Sequence, residues 1–389
     1  MGVHAKRSHV IEPLVDLTEF PASRHSTYLN TASVNLMYRG AESATVGWFR
    51  DLAERGTIDF DELAEETVFS ELHDAGARLF DVQPADIAVG SSATELLASL
   101  AWSVAPASGR NIVGADIVFP STMYPWARVA RYTGAEIRWA SADETYVDPG
   151  ALIRLIDGDT AVVCISDVEY STGQRYDVAS IAEACDAHGA MLVVDATQSA
   201  GAIQFHPAAW NVDAVVTASY KWLCGPFGAA VMYLAPRWHE VLDPGFVGFR
   251  SHRSMWDLRA DRLELPDDAS RFEASTMAYG CAVGMAASID YLLGIGIDRI
   301  AKYNKSLADE LIAGLQKRGA EIVSPLEPSQ RTSIVAARFP GRDPVAVARG
   351  LKDARVIVSQ RRDLVRFSPH LYNTSDDIAR ALDAIDTLS

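Results

Sequence analysis

Several patterns that mark familiar protein classes are missing from this 389-residue chain. Its four cysteines, Cys164, Cys185, Cys224 and Cys281, are scattered and include no CxxC pair. That argues against a zinc cluster and against a disulfide framework. The expected state is reduced, mostly buried thiols in a cytoplasmic protein. The nine histidines show no HExxH or comparable spacing, so no metal site is expected. Lys and Arg never run beyond two in a row, and the formal net charge is −16. Phosphate backbones and anionic bilayers need clustered cations, so neither nucleic acid nor a membrane is an expected partner. No apolar stretch approaches the roughly eighteen residues of a membrane span. The opening residues, MGVHAKRSHVIEPL, lack the apolar core of a secretory signal. No internal repeat or low-complexity segment is visible.

What is present is a large apolar fraction, 49% of residues, enough for one large or two moderate domains. From about 85 to 235, short apolar runs alternate with helical patterns. The candidate strands are DIAVG (86–90), NIVGADIVF (111–119), GAEIRWA (134–140), TAVVCIS (160–166), AMLVVD (190–195), DAVVTAS (213–219) and GAAVMYLA (228–235). Between them lie stretches such as ASIAEACDAHG, helical in spacing and closed by Gly189. This pattern predicts an α/β fold with a mainly parallel seven-stranded sheet covered on both faces. After about 285 the texture changes. A long helical stretch, broken near Gly294–Gly296, leads to short strands, a helix PVAVARGLKDA, and a closing helix from Ser375. The expected organisation is an N-terminal arm (1–30), a large domain (31–284) and a smaller α+β domain (285–389).

In open α/β sheets, ligands gather at the carboxyl ends of the strands. Asp195 closes AMLVVD, Ser219-Tyr220-Lys221 closes DAVVTAS, and GSSATE follows DIAVG. Each has a plain structural reading. Asp195 could cap a helix, SSATE could be a capping box with Glu95, YSTG a turn, and Lys221 a snorkelling side chain. Their coincidence on one sheet edge points elsewhere. A lysine in apolar ASYKWLCG has its pKa lowered, a carboxylate can hold a pyridinium proton, and a small-residue helix start can hold a phosphate. That set fits pyridoxal 5'-phosphate.

The segments YLNTAS, GSSATELL, FPSTMYPW, EYSTGQ, VVDATQSAG, SYKW, RFEAST and VRFSPHLYNTSDDI follow one another along the chain. With them it resembles the fold-type I, class V aminotransferase family: cysteine desulfurases, isopenicillin N epimerases, kynureninases and cysteine-conjugate C–S lyases. The resemblance implies catalytic roles for Lys221, as Schiff-base lysine and proton shuttle, and for Asp195, as partner of the ring nitrogen. It implies cofactor contacts from Ala93, Thr94, Thr172, Gln198, Ser219 and Tyr220. Thr276 would reach the phosphate of a second subunit, giving a homodimer with active sites at its interface. Arg366 would grip the α-carboxylate of a small amino acid substrate, assisted by Asn30.

Departures from the family pattern matter. Phe119 would stack on the cofactor where many members have histidine, and Tyr220 stands where many have histidine before the lysine. Gln198 departs from kynureninase. No cysteine follows Cys281, so sulfur transfer through an enzyme thiol is not expected. Further pocket candidates are Tyr38, Trp126, Arg250, His252, Arg253 and Trp256. The last four lie in GFRSHRSMWD, either a loop reaching the distal end of a large polar substrate or a surface loop balancing acidic neighbours. The expected reaction is loss of sulfur from Cβ of a cysteine-type substrate, with or without loss of the carboxylate, in specialised-metabolite biosynthesis. Transamination or epimerisation, kynureninase-like hydrolysis, and a scaffold without catalysis remain alternatives.

Overall fold

A computed structural model describes residues 11–388. Strand β1 (Thr27–Tyr28) precedes helices α1 (Arg39–Arg55), α2 (Glu62–Glu66) and α3 (Ser70–Phe80). Then come β2 (Ile87–Gly90), α4 (Ala93–Val104), β3 (Asn111–Ala115), α5 (Pro120–Thr133) and β4 (Glu136–Ala140). They are followed by α6 (Pro149–Ile153), β5 (Thr160–Ser166), α7 (Val178–His188), β6 (Met191–Asp195), β7 (Ala214–Ala218) and β8 (Ala230–Leu234). The chain continues through α8 (Tyr279–Ile295), α9 (Ile297–Lys317), β9 (Glu321–Ile322), β10 (Val335–Arg338) and α10 (Pro344–Asp353). It closes with β11 (Val356–Ile357), β12 (Ser359–Arg361), β13 (Leu364–Phe367) and α11 (Ser375–Asp386).

The predicted seven-stranded sheet is present, in the order β2-β8-β7-β6-β5-β3-β4. Strands β4, β3, β5, β6 and β7 run parallel, and only β8 opposes its neighbours β7 and β2. Strands β2, β3, β6, β7 and β8 are buried along their whole length, as expected where helices cover both faces. Edge strand β4 instead carries exposed Glu136 and a half-buried Arg138, which discourage pairing with another chain. The helix end foreseen at Gly189 forms, closing α7 at φ 67°. A capping box not read from the sequence, Thr374 with Asp377, starts α11.

A second, antiparallel sheet has the order β12-β13-β10-β9. Helices α9 and α11 cover it, building a separate core around Leu307, Leu311, Val365 and Phe367. Helix α8 belongs to the first core and packs against α1 and α3, while α9 starts in the first core with Ile297 and Ile300 and continues in the second from Leu307. The break falls at Gly296 (φ 95°), where the two helices meet at 78°. The change from the first core to the second falls within α9, between Ile300 and Leu307. The described part of the expected arm, residues 11–30, packs against both cores. Strand β1 pairs with β11, and Leu29 fills the second core. The expected arm's first ten residues lie outside the described ones. No single helix among the described residues is long and apolar enough to cross a membrane.

Candidate active site

Parallel pairing brings the carboxyl ends of β5, β6 and β7 to one edge, with Ser166 opposite Asp195 and Asp195 opposite Val216. A cavity at this edge is lined by Ser92, Ala93, Thr94, Phe119, Tyr170, Asp195, Thr197, Gln198, Tyr220 and Lys221. A larger cleft, about 1210 Å³, lies elsewhere, between α1, α2 and the 276–279 segment. We place the chemistry in the smaller cavity, because it collects the buried ionisable groups.

Asp195 is 7% exposed. Its Oδ2 accepts from Thr122 Oγ1 at 2.9 Å and its Oδ1 from the Thr197 N–H at 3.0 Å. Both donors are neutral, which leaves a buried carboxylate open to a cationic partner. Lys221 lies in the connection between β7 and β8 and is 6% exposed. Its Nζ stands 5.2 Å from the Phe119 ring centroid and 5.8 Å from that of Tyr220. Burial lowers its pKa to about 8; Asp195 opposes the shift, and Arg366 and Arg361 reinforce it. The turn that follows is tight. The Gly225 N–H donates to the Ser219 carbonyl, and a Cβ at Gly225 would sit 2.0 Å from Ser219 Oγ.

Helix α4 opens onto the same cavity. Ser92 Oγ accepts from the Glu95 N–H at 3.1 Å, and Glu95 reaches back to Ser91. Ser92 thus caps α4, but the reciprocal capping box is incomplete, since Glu95 meets Ser91 rather than the Ser92 N–H. Ala93 and Thr94, whose amides have no partner within the helix, line the cavity. Phe119 caps α5, is partly exposed, and packs edge-on against Tyr170.

Opposite these groups, hairpin β12–β13 supplies two arginines. Arg366 is 1% exposed; it donates to the Tyr170 carbonyl and to Ser33 Oγ, while its buried Nε has no partner. Burial, aided by Arg361, pulls its pKa down to about 9. Asn30 stands one step behind. Its Oδ1 accepts from Ser359 Oγ at 2.5 Å, and Ser359 hydrogen-bonds Ser33.

Other expected residues have different positions. Tyr38 stacks on Tyr291 with centroids 3.9 Å apart, in a packing cluster with Phe20. Trp126 is fully buried in the core on α5. Thr172 is buried in a turn, where its hydroxyl accepts from the Gln174 N–H at 3.3 Å. Ser219 lies beside the cavity but does not line it, and its buried hydroxyl has no partner. Arg250 donates to the Glu65 and Glu66 carbonyls and lies 4.5 Å over the Phe69 ring. Arg253 pairs with Asp267, the Trp256 indole binds the Glu62 carbonyl, and His252 Nδ1 accepts from the Ser254 N–H. Residues 250–256 therefore pack beside the large cleft rather than reaching Lys221. Exposed Thr276 also lines that cleft. Gln198 lines the cavity, but its amide already bridges the Ala32 carbonyl and the Trp222 indole N–H.

Four residues of the site escaped the sequence reading: Thr122, Thr197, Tyr170 and Arg361. The first three lie inside segments already singled out, FPSTMYPW, DATQ and EYSTGQ, but nothing in the pattern ranks one hydroxyl over another. Behind Asp195 lie two fully buried acids. Burial raises Asp167 to about 7 and Glu169 to about 8.

The donor set fits pyridoxal phosphate. Asp195 lacks a cation, the α4 amides lack an acceptor, and the hydroxyls of Thr197 and Ser219 are buried without partners. The comparisons agree. The family model described as "Aminotransferase class-V" matches residues 52–380. Among curated proteins, the uncharacterized aminotransferase YcbU of Bacillus subtilis (strain 168) is 26% identical over 94% of this chain and 95% of its own. The isopenicillin N epimerase of Streptomyces clavuligerus is 26% identical over 93% and 94%. Among solved structures, the cystine C–S lyase C-DES, in complex with its product cysteine persulfide, has a TM-score of 0.86 at 21% identity, covering 95% and 100%. A lysine mutant of C-DES with glycine covalently linked to its PLP cofactor has a TM-score of 0.88.

Proposed function

The chain belongs to the class-V aminotransferase family of pyridoxal-phosphate enzymes, and on that premise we propose that it is a C–S lyase. It would act by β-elimination on a cysteine-type amino acid. Asp195 would hold the ring nitrogen, the α4 amides with Thr94 the phosphate, Phe119 one ring face, and Lys221 the aldehyde carbon. Bound there, the cofactor would supply an electron sink that weakens the bonds at Cα.

The chain's own part is to bind, orient and move protons. Arg366 would anchor the α-carboxylate, fixing which Cα bond faces Lys221. Lys221 Nζ, with its lowered pKa, would take the Cα proton. The C–S bonding pair then leaves with sulfur, and the phenol of Tyr170 or Tyr220 would return a proton to it. Overall, an S-substituted cysteine and water give a thiol, pyruvate and ammonia.

The observation that carries this reading is the lining itself. Among the described residues around the cavity, Lys221 is the only amine, and no imidazole or thiol accompanies it. Epimerisation with bases on two faces would have to use a tyrosine, Tyr170 or Tyr220, as its second base. Desulfuration through an enzyme thiol lacks its thiol, since Cys164, Cys185 and Cys224 are buried and half-buried Cys281 sits in α8. We also propose a homodimer in which a second copy covers the large cleft and Thr276 faces the partner's site; a monomer in sedimentation would refute it.

The test is incubation of the loaded enzyme with S-substituted L-cysteines. Pyruvate and ammonia released in equal amounts, without an added keto acid, are expected. Keto-acid-dependent amine transfer, or anthranilate from kynurenine with no pyruvate from the cysteines, would replace the lyase reading.

A further inference from the structure

Hairpin β12–β13 places two guanidiniums on one face. Ser359 is paired with Arg366 and Arg361 with Leu364, so residues 359, 361, 364 and 366 point the same way. Arg361 and Arg366 are therefore diagonal neighbours, fixed by strand register. The two-residue turn between the strands, with Arg362 at φ 52°, sets that register. Both arginines end on the same oxygen. Arg361 Nη2 donates to Ser33 Oγ at 2.9 Å, and Arg366 Nη2 donates to it as well. Neither forms an ion pair with any carboxylate among the described residues; their remaining contacts are the carbonyls of Gln360 and Tyr170.

One shared hydroxyl and two carbonyls, all neutral, are poor compensation for two buried or half-buried cations held side by side. Lys221 feels both charges, so the pair lies within the field of the reacting amine. The carboxylate that acts on Lys221, Asp195, is already assigned to the ring nitrogen. One α-carboxylate offsets one guanidinium and leaves the other unmatched. The two also differ in depth. Arg366 is fully buried, whereas Arg361 is half-buried.

We propose that the substrate is dianionic. Arg366 takes its α-carboxylate, and Arg361 recognises a second acidic group carried on the side chain or leaving group. This rests on the reading of Arg366 as the α-carboxylate residue, and not on which Cα bond is broken. An acidic cysteine conjugate fits both statements.

The experiment is calorimetric titration of the holoenzyme with glutarate and with valerate, which share a carbon count and differ by one carboxylate. Because heat is read rather than turnover, the result stands whether or not the lyase chemistry is correct. Glutarate is expected to bind roughly tenfold or more tightly than valerate, as a charged bidentate contact allows. Arg361→Gln should erase that difference while leaving valerate unchanged, and Arg361→Lys, which keeps the charge and loses the fork, should fall between. Arg366→Gln should weaken both ligands. Equal binding of the two acids by the native protein would overturn the proposal. So would an Arg361→Gln protein that loses valerate as strongly as glutarate, because both guanidiniums would then serve one carboxylate.

Discussion

Burial moves Lys221 and Glu169 in opposite directions for one reason: removal from water disfavours whichever form is charged. Lys221 falls to about 8 and Glu169 rises to about 8. Glu169 accepts from the Tyr176 hydroxyl at 2.9 Å, its other oxygen has no partner, and Asp195, Asp167 and Asp116 add repulsion. Its folded pKa lies above the ordinary carboxylate value. Its contribution to stability is therefore full below about pH 4 and is lost as pH rises through about 8. Glu169→Gln should remove this loss. Thermal unfolding at pH 6 and pH 9 is expected to show the variant gaining on the native protein by about 1–3 kcal/mol at the higher pH; an equal difference at both would contradict it. Lys221 and Asp195 were legible in the sequence because a charge at the end of an apolar strand is conspicuous. Thr122, Thr197 and Arg361 were not, because their roles depend on turn geometry and cross-strand register.

Among the elements, α1 presents Val46, Phe49 and Leu52 at helical spacing, all exposed. With Leu63 of α2 and Trp256, Phe49 and Leu52 line the large cleft. A contiguous apolar face of this kind marks an association surface. Leu52→Glu is expected to weaken self-association by roughly tenfold or more, read by sedimentation across concentrations. An unchanged association state would assign the face to something other than a second copy. The seven strands were readable because β-branched runs bounded by turn residues leave few alternatives. Loop 248–256 was ambiguous for a physical reason: basic and aromatic side chains suit a ligand or a set of backbone carbonyls equally well, and Arg250 took the carbonyls.

At the scale of the whole molecule, the two cores are joined through the site. Asn304 of α9 hydrogen-bonds His370 Nδ1, His370 Nε2 meets the Trp222 carbonyl, and the Trp222 indole donates to Gln198. Burial pulls His370 down to about 3, so it stays neutral and can accept at one nitrogen while donating at the other. This chain ties the smaller core, which carries Arg366, to the larger core, which carries Lys221 and Asp195. The central claim is that all three face one pyridoxal phosphate bound through Lys221. Borohydride reduction of the purified enzyme, followed by peptide mass mapping, tests it most directly. The account predicts a yellow protein whose visible absorption disappears on reduction, with a pyridoxyl group fixed on Lys221 and no other lysine. A colourless protein that takes up no cofactor, or a label fixed elsewhere, would contradict it.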